Sequence, residues 1–103
     1  MWAQLITMRL KPGKDAELPR LIEQLESLEQ PGSGLLRSTA MLGQNDPSRA
    51  CFMVVFESEE AARARESDPR RQEGMVAVRA TMADLFEGPP EFADLNIIHE
   101  FLP

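Results

Sequence analysis

The chain has 103 residues, of which 43% are hydrophobic and 27% are charged, and its net charge is −6. This composition is typical of a folded protein, and the length predicts a single domain over residues 1–103. Nucleic acids and anionic membranes bind to basic surfaces, so the acidic charge argues against both as partners.

Neither a metal site nor a targeting signal is indicated. Cys51 is the only cysteine and His99 the only histidine, and they belong to no cluster with the spacing of metal ligands. The N-terminal segment lacks the basic start of a signal peptide, and no apolar run approaches the length of about 20 residues that a membrane helix needs. We therefore expect a cytoplasmic protein that holds no metal.

The first half of the chain predicts a strand, a helix and a pair of strands. Alternation marks Trp2–Leu10 as a strand, and apolar residues at helical spacing mark 15–30 as an amphipathic helix with Asp15 as its N-cap. After a Pro-Gly break, Leu35–Leu42 and 50–56 are predicted as two strands joined by a hairpin loop. The second of these is apolar at every position, which indicates burial on both faces.

Two capping signals divide the next segment into two helices. Ser58 precedes an acidic first turn, and Asp68, followed by proline, repeats the N-cap pattern. The second helix carries an apolar stripe that ends at Phe86, and the Gly-Pro-Pro sequence at 88–90 is expected to stop it. A last strand is predicted over 92–101.

The order β-α-β-β-α-β, with the second helix broken in two, is that of the α+β ferredoxin-like split βαβ fold. Both helical blocks then cover one side of a four-stranded antiparallel sheet. Residues 2–10 and 50–56 are nonetheless apolar on both faces. A second copy packed sheet against sheet would cover the other face, so we predict a homodimer.

Several short motifs occur in an order that resembles a known family. The sequence F-E-S-E-E-A at 56–61 is followed by S-D-P at 67–69 and E-G-P-P at 87–90, while K-P-G-K at 11–14 and P-G at 31–32 precede them. This pattern is similar to that of the antibiotic-biosynthesis-monooxygenase-like domains of the dimeric α/β-barrel superfamily. The similarity extends over nearly the whole chain.

The resemblance implies a homodimer whose sheets form a barrel, with a pocket in each subunit between sheet and helices. Several members of the family oxidise polycyclic phenols or anthrones with molecular oxygen and without metal or flavin, so the resemblance also implies that no cofactor is needed. Other members degrade haem. These carry Asn, Trp and His where this chain has Thr7 or Met8, Arg65 and Gly74, which argues against haem degradation.

Two residues are candidates for catalysis. His99 lies on the apolar face of the predicted last strand and is our candidate for a base, because imidazole titrates near neutral pH. The alternative is a neutral histidine packed in the core or in the dimer interface. Arg37 is the candidate for stabilising negative charge on a substrate oxygen. Its alternative is a solvated arginine on an edge strand.

Four aromatic residues are candidates for binding a ligand: Trp2, Phe52, Phe56 and Phe86. They could line a pocket for a small aromatic molecule or form a plain hydrophobic core. The chain thus carries two functional hypotheses. The first is a cofactor-independent monooxygenase that acts on a small apolar or aromatic metabolite, and the second is a non-catalytic dimeric binding module with a vestigial active site.

Overall fold

The computed structural model describes all residues, 1–103, and contains four strands and three α-helices. In chain order they are β1 (Trp2–Leu10), α1 (Leu18–Ser27), β2 (Leu35–Leu42), β3 (Arg49–Phe56), α2 (Glu59–Ser67), α3 (Pro69–Leu85) and β4 (Phe86–Asn96). None of these helices combines the length and the hydropathy that crossing a bilayer requires.

The strands form one antiparallel sheet in the order β2-β3-β1-β4. This confirms the predicted α+β ferredoxin-like split βαβ arrangement. Ile6 of β1 lies between Phe52 of β3 and Phe92 of β4. Because directly opposed residues share a face of the sheet, the even-numbered residues of β1 face the helices and the odd-numbered residues face away.

The hydrophobic core lies between this face of the sheet and the helices. Its largest cluster consists of Met8, Leu10, Leu18, Leu21, Ala50, Phe52, Val78, Leu85 and Phe86. A smaller cluster of Trp2, Phe56 and Ala62 lies at the end of the sheet that α2 covers. The helices therefore pack on one side of the sheet, as predicted.

The predicted break between the second and third helices is confirmed. Ser58 Oγ accepts a hydrogen bond from the Ala61 N–H at 3.1 Å, and Asp68 Oδ1 accepts one from the Arg70 N–H at 2.9 Å. Asp68 also ends α2, so one residue in an extended conformation separates the two helices. Each cap satisfies a donor that the first helical turn would leave unpaired.

The predicted helix over 15–30 was wrong at both ends. Asp15–Glu17 form a 3₁₀ turn without a side-chain cap, and α1 spans only Leu18–Ser27. Pro19 explains the late start, because proline fits within the first turn of an α-helix but not further inside it. A helix that began at Asp15 would have placed Pro19 beyond that turn.

The predicted last strand was also wrong at both ends. β4 begins at Phe86, directly after α3, and ends at Asn96. The Gly-Pro-Pro sequence at 88–90 lies inside the strand, where the register with β1 shifts, and an edge strand tolerates proline. β4 pairs only with β1, and that pairing ends at Trp2, so no strand is available beyond Asn96. His99 therefore lies outside the sheet.

Gly74 allows α3 to approach the end of α1. A Cβ atom at this position would lie 2.2 Å from Cδ2 of Leu28, and Cγ of Leu28 would be only 3.2 Å away. Leu28 packs against the main core cluster, so it has little freedom to move aside. The backbone of α3 thus contacts a side chain of the core directly.

We expect Gly74→Leu to lower the free energy of unfolding by about 1 to 2 kcal/mol, because overpacking costs about 1–3 kcal/mol and outweighs the gain of about 0.8 in helix propensity. Urea unfolding followed by circular dichroism measures the change. Ala77→Leu, at an exposed position of the same helix, is the control and should change the free energy by less than about 0.5 kcal/mol. Equal effects of the two substitutions would contradict the close approach.

Candidate functional site

A cavity of about 430 Å³ lies between the helix-covered face of the sheet and all three helices. Its volume is within the range of about 300–1,000 Å³ that small-molecule sites occupy. The apolar side chains that line it are Trp2, Ile6, Met8, Leu21, Leu25, Phe52, Val54, Phe56, Ala62, Met75, Met82 and Phe92. Strand alternation brings those of β1 and β3 to the same face, so the register of the sheet builds the floor of the cavity.

Three of the four predicted aromatic residues line this cavity. Trp2 and Phe56 are opposed in the register, with ring centroids 6.1 Å apart and planes tilted by 51°. Phe52 lies further along β3 on the same face. Phe86 does not reach the cavity and packs edge-on against Phe52 in the core, at 6.4 Å between centroids. That any of the four binds a ligand stays a prediction.

The two predicted catalytic residues lie away from the cavity. His99 is exposed in the segment that follows β4. Arg37 lies on the face of the sheet opposite to the helices, next to Val55, and donates a hydrogen bond to Glu100. Neither residue lines the cavity. The structure therefore does not bring them together with the aromatic residues within one chain, and their catalytic roles stay predictions.

The polar side chains of the cavity come mainly from α2 and α3. They are Gln4, Ser38, Arg65, Glu66, Arg71, Gln72 and Arg79. Three are arginines and one is a carboxylate, so the lining is positive although the whole chain carries a charge of −6. No group of three His, Cys, Asp or Glu side chains is arranged to hold a metal ion.

Arg65 is fixed in place at the edge of the cavity. Its Nη2 and Nε donate hydrogen bonds to Glu29 Oε2 at 2.6 and 3.1 Å, and its guanidinium lies 5.3 Å from the ring centroid of Phe56. Ser33 donates a further hydrogen bond to Glu29. Partial burial, the largest influence, raises the pKa of Glu29, but the hydrogen bonds from Ser33 and Arg65 outweigh it and hold that pKa below its ordinary value.

Arg71 differs from Arg65 in having no partner. It is the third residue of α3, and its Nη1 is buried without a hydrogen bond. Burial, followed by the positive charge of Arg65, lowers the pKa of Arg71. A guanidinium nonetheless stays protonated in proteins. The cavity therefore has one half-buried guanidinium that donates no hydrogen bond to a side chain of the protein.

The sequence analysis did not identify these arginines, because the same residue types occur at helix positions that face a cavity and at positions that face solvent. A signal was present in their spacing. Arg71, Met75, Arg79 and Met82 recur at intervals of three and four, which places them on one face of α3. An arginine that shares a helix face with partly buried methionines indicates a polar group at an apolar wall.

The sheet face opposite to the helices is only partly covered. Ala3 and Val55 are buried there, because the segment after β4 crosses the sheet and Glu100 reaches Arg37. The rest of this face carries apolar side chains that are half-buried or exposed, namely Leu5, Met41, Cys51, Met53 and Leu95. Such a patch is typical of a surface that another molecule covers.

Comparison with protein families identifies one family for this chain. The family model for antibiotic biosynthesis monooxygenase matches residues 1–77. A search among curated proteins found no match.

Solved structures match along almost the full chain. A Nitrosomonas europaea protein assigned to the antibiotic biosynthesis monooxygenases has a TM-score of 0.74 at 17% identity, with 96% of this chain and 100% of that one covered. A second N. europaea protein, of unknown function, has a TM-score of 0.74 at 22% identity, with 99% and 93% covered. SnoaB, a cofactor-independent oxygenase from Streptomyces nogalater, has a TM-score of 0.73 at 17% identity, with 96% and 94% covered. These TM-scores establish a common fold.

Glu29→Gln should lower the free energy of unfolding by about 1 kcal/mol at pH 7, because it removes the charge that pairs with Arg65. Since the pKa of Glu29 is lowered by folding, the ionised carboxylate stabilises the protein above its ordinary pKa. This contribution is lost as the pH falls through the lowered value. Urea unfolding between pH 7 and pH 3 measures it, with Glu26→Gln, an exposed and unpaired residue of α1, as the control. A loss that persists unchanged in acid would contradict the ion pair.

Proposed function

Since the chain belongs to the antibiotic biosynthesis monooxygenase family, we propose that it is a cofactor-independent monooxygenase whose cavity binds a small apolar or aromatic metabolite. The observation that carries this proposal is the cavity itself. Its floor is formed by Trp2, Phe52 and Phe56, and its walls are mostly apolar. A flat aromatic molecule would exchange water for these surfaces, which is the main source of affinity in such sites.

In the chemistry that fits this cavity, the substrate supplies all four electrons that reduce molecular oxygen. An electron-rich ring system that loses a proton becomes a carbanion or phenolate, which can reduce molecular oxygen directly. Oxidation of a ring CH₂ to a carbonyl then consumes one O₂, places one oxygen atom on carbon and releases the other as water. The protein needs to exclude water, orient the ring and stabilise the anion, and a guanidinium in a partly buried site favours the ionised form.

This mechanism needs an acceptor for the proton that the substrate loses. Glu66 is the only carboxylate that lines the cavity, and the lining contains no histidine or tyrosine. His99 would act as the predicted base only if its segment reached a cavity, its own or that of a second copy. A substrate that is already ionised when bound beside a guanidinium needs no protein base.

The absence of histidine and tyrosine from the cavity favours a second candidate function. In this alternative the protein is a non-catalytic module that binds the same class of molecule without consuming it. Binding would stabilise the folded state in both cases. Oxygen uptake separates the two, because only the enzyme consumes oxygen in the presence of the bound molecule.

We further propose that two copies associate through the helix-free face of the sheet to form a homodimer. Met53 occupies a central position on this face, opposite Leu5 on β1 and Thr39 on β2. On the same face, Met41 of β2 and Leu95 of β4, the two edge strands, are 42% and 41% exposed. A sheet-against-sheet interface would remove these side chains from water.

Met75→Trp should abolish ligand-dependent oxygen uptake and ligand-induced thermal stabilisation, because the larger side chain fills the cavity from α3. A panel of anthrones and hydroquinones, measured with an oxygen electrode and by thermal shift, provides the readout. Val76→Trp is the control, since Val76 is 66% exposed on the same helix. Stabilisation of the wild-type protein without oxygen uptake would support the binding module instead. If no member of the panel has either effect, the proposed function is contradicted.

Met53→Arg should convert a dimer into a monomer, because a charge at the centre of an apolar interface cannot be paired there. Light scattering should give about twice 11.6 kDa for the wild-type protein and one times that mass for the variant. Val76→Arg, which places the same charge on the exposed side of α3, should leave the dimer intact. A monomeric wild-type protein at micromolar concentration would refute the interface.

A further inference from the structure

Three carboxylates beside Arg71 are engaged by other arginines. Glu29 accepts two hydrogen bonds from Arg65, at 2.6 and 3.1 Å. Glu66 accepts one from Arg63 at 3.3 Å, and Asp68 accepts one from Arg70 at 2.8 Å. Arg71 takes part in none of these pairs, because each of the three carboxylates already hydrogen-bonds to another arginine.

A buried polar atom without a hydrogen-bond partner is unfavourable for a protein unless another group compensates for it. Nη1 of Arg71 and Oε1 of Gln24 are the only buried side-chain polar atoms without a hydrogen-bond partner. Of these two residues, only Arg71 lines the cavity. The missing partner is therefore expected to come from a molecule that occupies the cavity.

The surroundings of Arg71 define the kind of molecule. Arg71 lines both the aromatic cavity and a polar depression of about 290 Å³ beside the loop at residues 31–34. An apolar ring system would fill the first, and a polar substituent at the edge of the ring would point toward the second. Arg65 is less suited to bind that substituent, because its guanidinium is already paired with Glu29.

We propose that Arg71 anchors the carboxylate of an aromatic carboxylic acid whose ring lies on Trp2, Phe52 and Phe56. A carboxylate presents two oxygens to the parallel donors of a planar guanidinium, which makes it the best match among singly charged organic anions. The proposal deepens the proposed function, because it assumes that the cavity is the binding site. It adds a residue that selects for charge and fixes the orientation of the ring.

Isothermal titration calorimetry with naphthoate and its neutral analogue naphthamide tests this anchor. The wild-type protein should bind naphthoate about tenfold more tightly than naphthamide, as expected for a hydrogen bond to a charged group. Arg71→Gln should remove this preference by weakening naphthoate binding alone. Arg20→Gln, which changes an exposed arginine of α1 that lines neither cavity, should preserve it.

The outcomes separate the anchor from the cavity. If both probes bind wild-type protein equally, or if Arg71→Gln weakens both to the same extent, the anchor is contradicted while the cavity remains a binding site. If neither probe binds at millimolar concentration, the anchor and the proposed function both fail. Met75→Trp, which fills the cavity, should abolish the binding of both probes.

Thermal unfolding without ligand provides a second readout. It distinguishes a ligand-binding role of Arg71 from a role in stabilising the fold. Arg71→Met keeps an unbranched side chain and removes an unpaired buried charge, so its unfolding midpoint should equal or exceed that of the wild-type protein. The wild-type midpoint should rise in naphthoate, and that of the variant should not. A midpoint of Arg71→Met several degrees below the wild-type value without ligand would show that Arg71 supports the fold, and would overturn the proposal.

Discussion

The register of β1 against its two neighbours is the constraint on which the rest of the structure depends. β1 is a central strand, and its pairing with β3 and β4 decides which side chains meet the helices. A shift of one residue would turn Trp2 and Ile6 away from the helices and bring Ala3 and Leu5 toward them. The core, the floor of the cavity and the composition of the opposite face all follow from this one alignment.

Side chains of the cavity therefore fall into two groups with different origins. The apolar group comes largely from the sheet and from α1, where burial selects its members. The charged group comes from α2 and α3, where arginines and carboxylates compete for partners. Arg71 forms no ion pair with these carboxylates, and its charge is the most specific chemical feature of the site.

Much of this fold could be predicted from local patterns. Alternation and helical spacing identified the order of elements, and the capping residues Ser58 and Asp68 located the break between α2 and α3. The register of β4 could not be predicted, because its end depends on where β1 ends and not on its own residues. The site was predictable in its aromatic part, since Trp2, Phe52 and Phe56 follow strand alternation.

Its polar part was not predictable, because the missing hydrogen-bond partner of Arg71 becomes visible only in the folded protein. There, one carboxylate from the loop after α1, one from α2 and one from the residue between α2 and α3 each pair with another arginine. His99 illustrates the opposite error. Its chemistry singled it out, although the strand that was to position it ends at Asn96. A residue type indicates what a side chain can do, whereas only the fold determines what lies within its reach.

The short helix α2 has a consequence for the exchange of molecules with the cavity. It contains nine residues, of which only Ala62 is buried, and a helix of that length has little stability of its own. Its contacts with the rest of the protein include two ion pairs, Arg65 with Glu29 and Arg63 with Asp94. Dissolved salt weakens such pairs. We therefore expect added salt to loosen the wall that α2 forms and to speed the exchange of small molecules with the cavity.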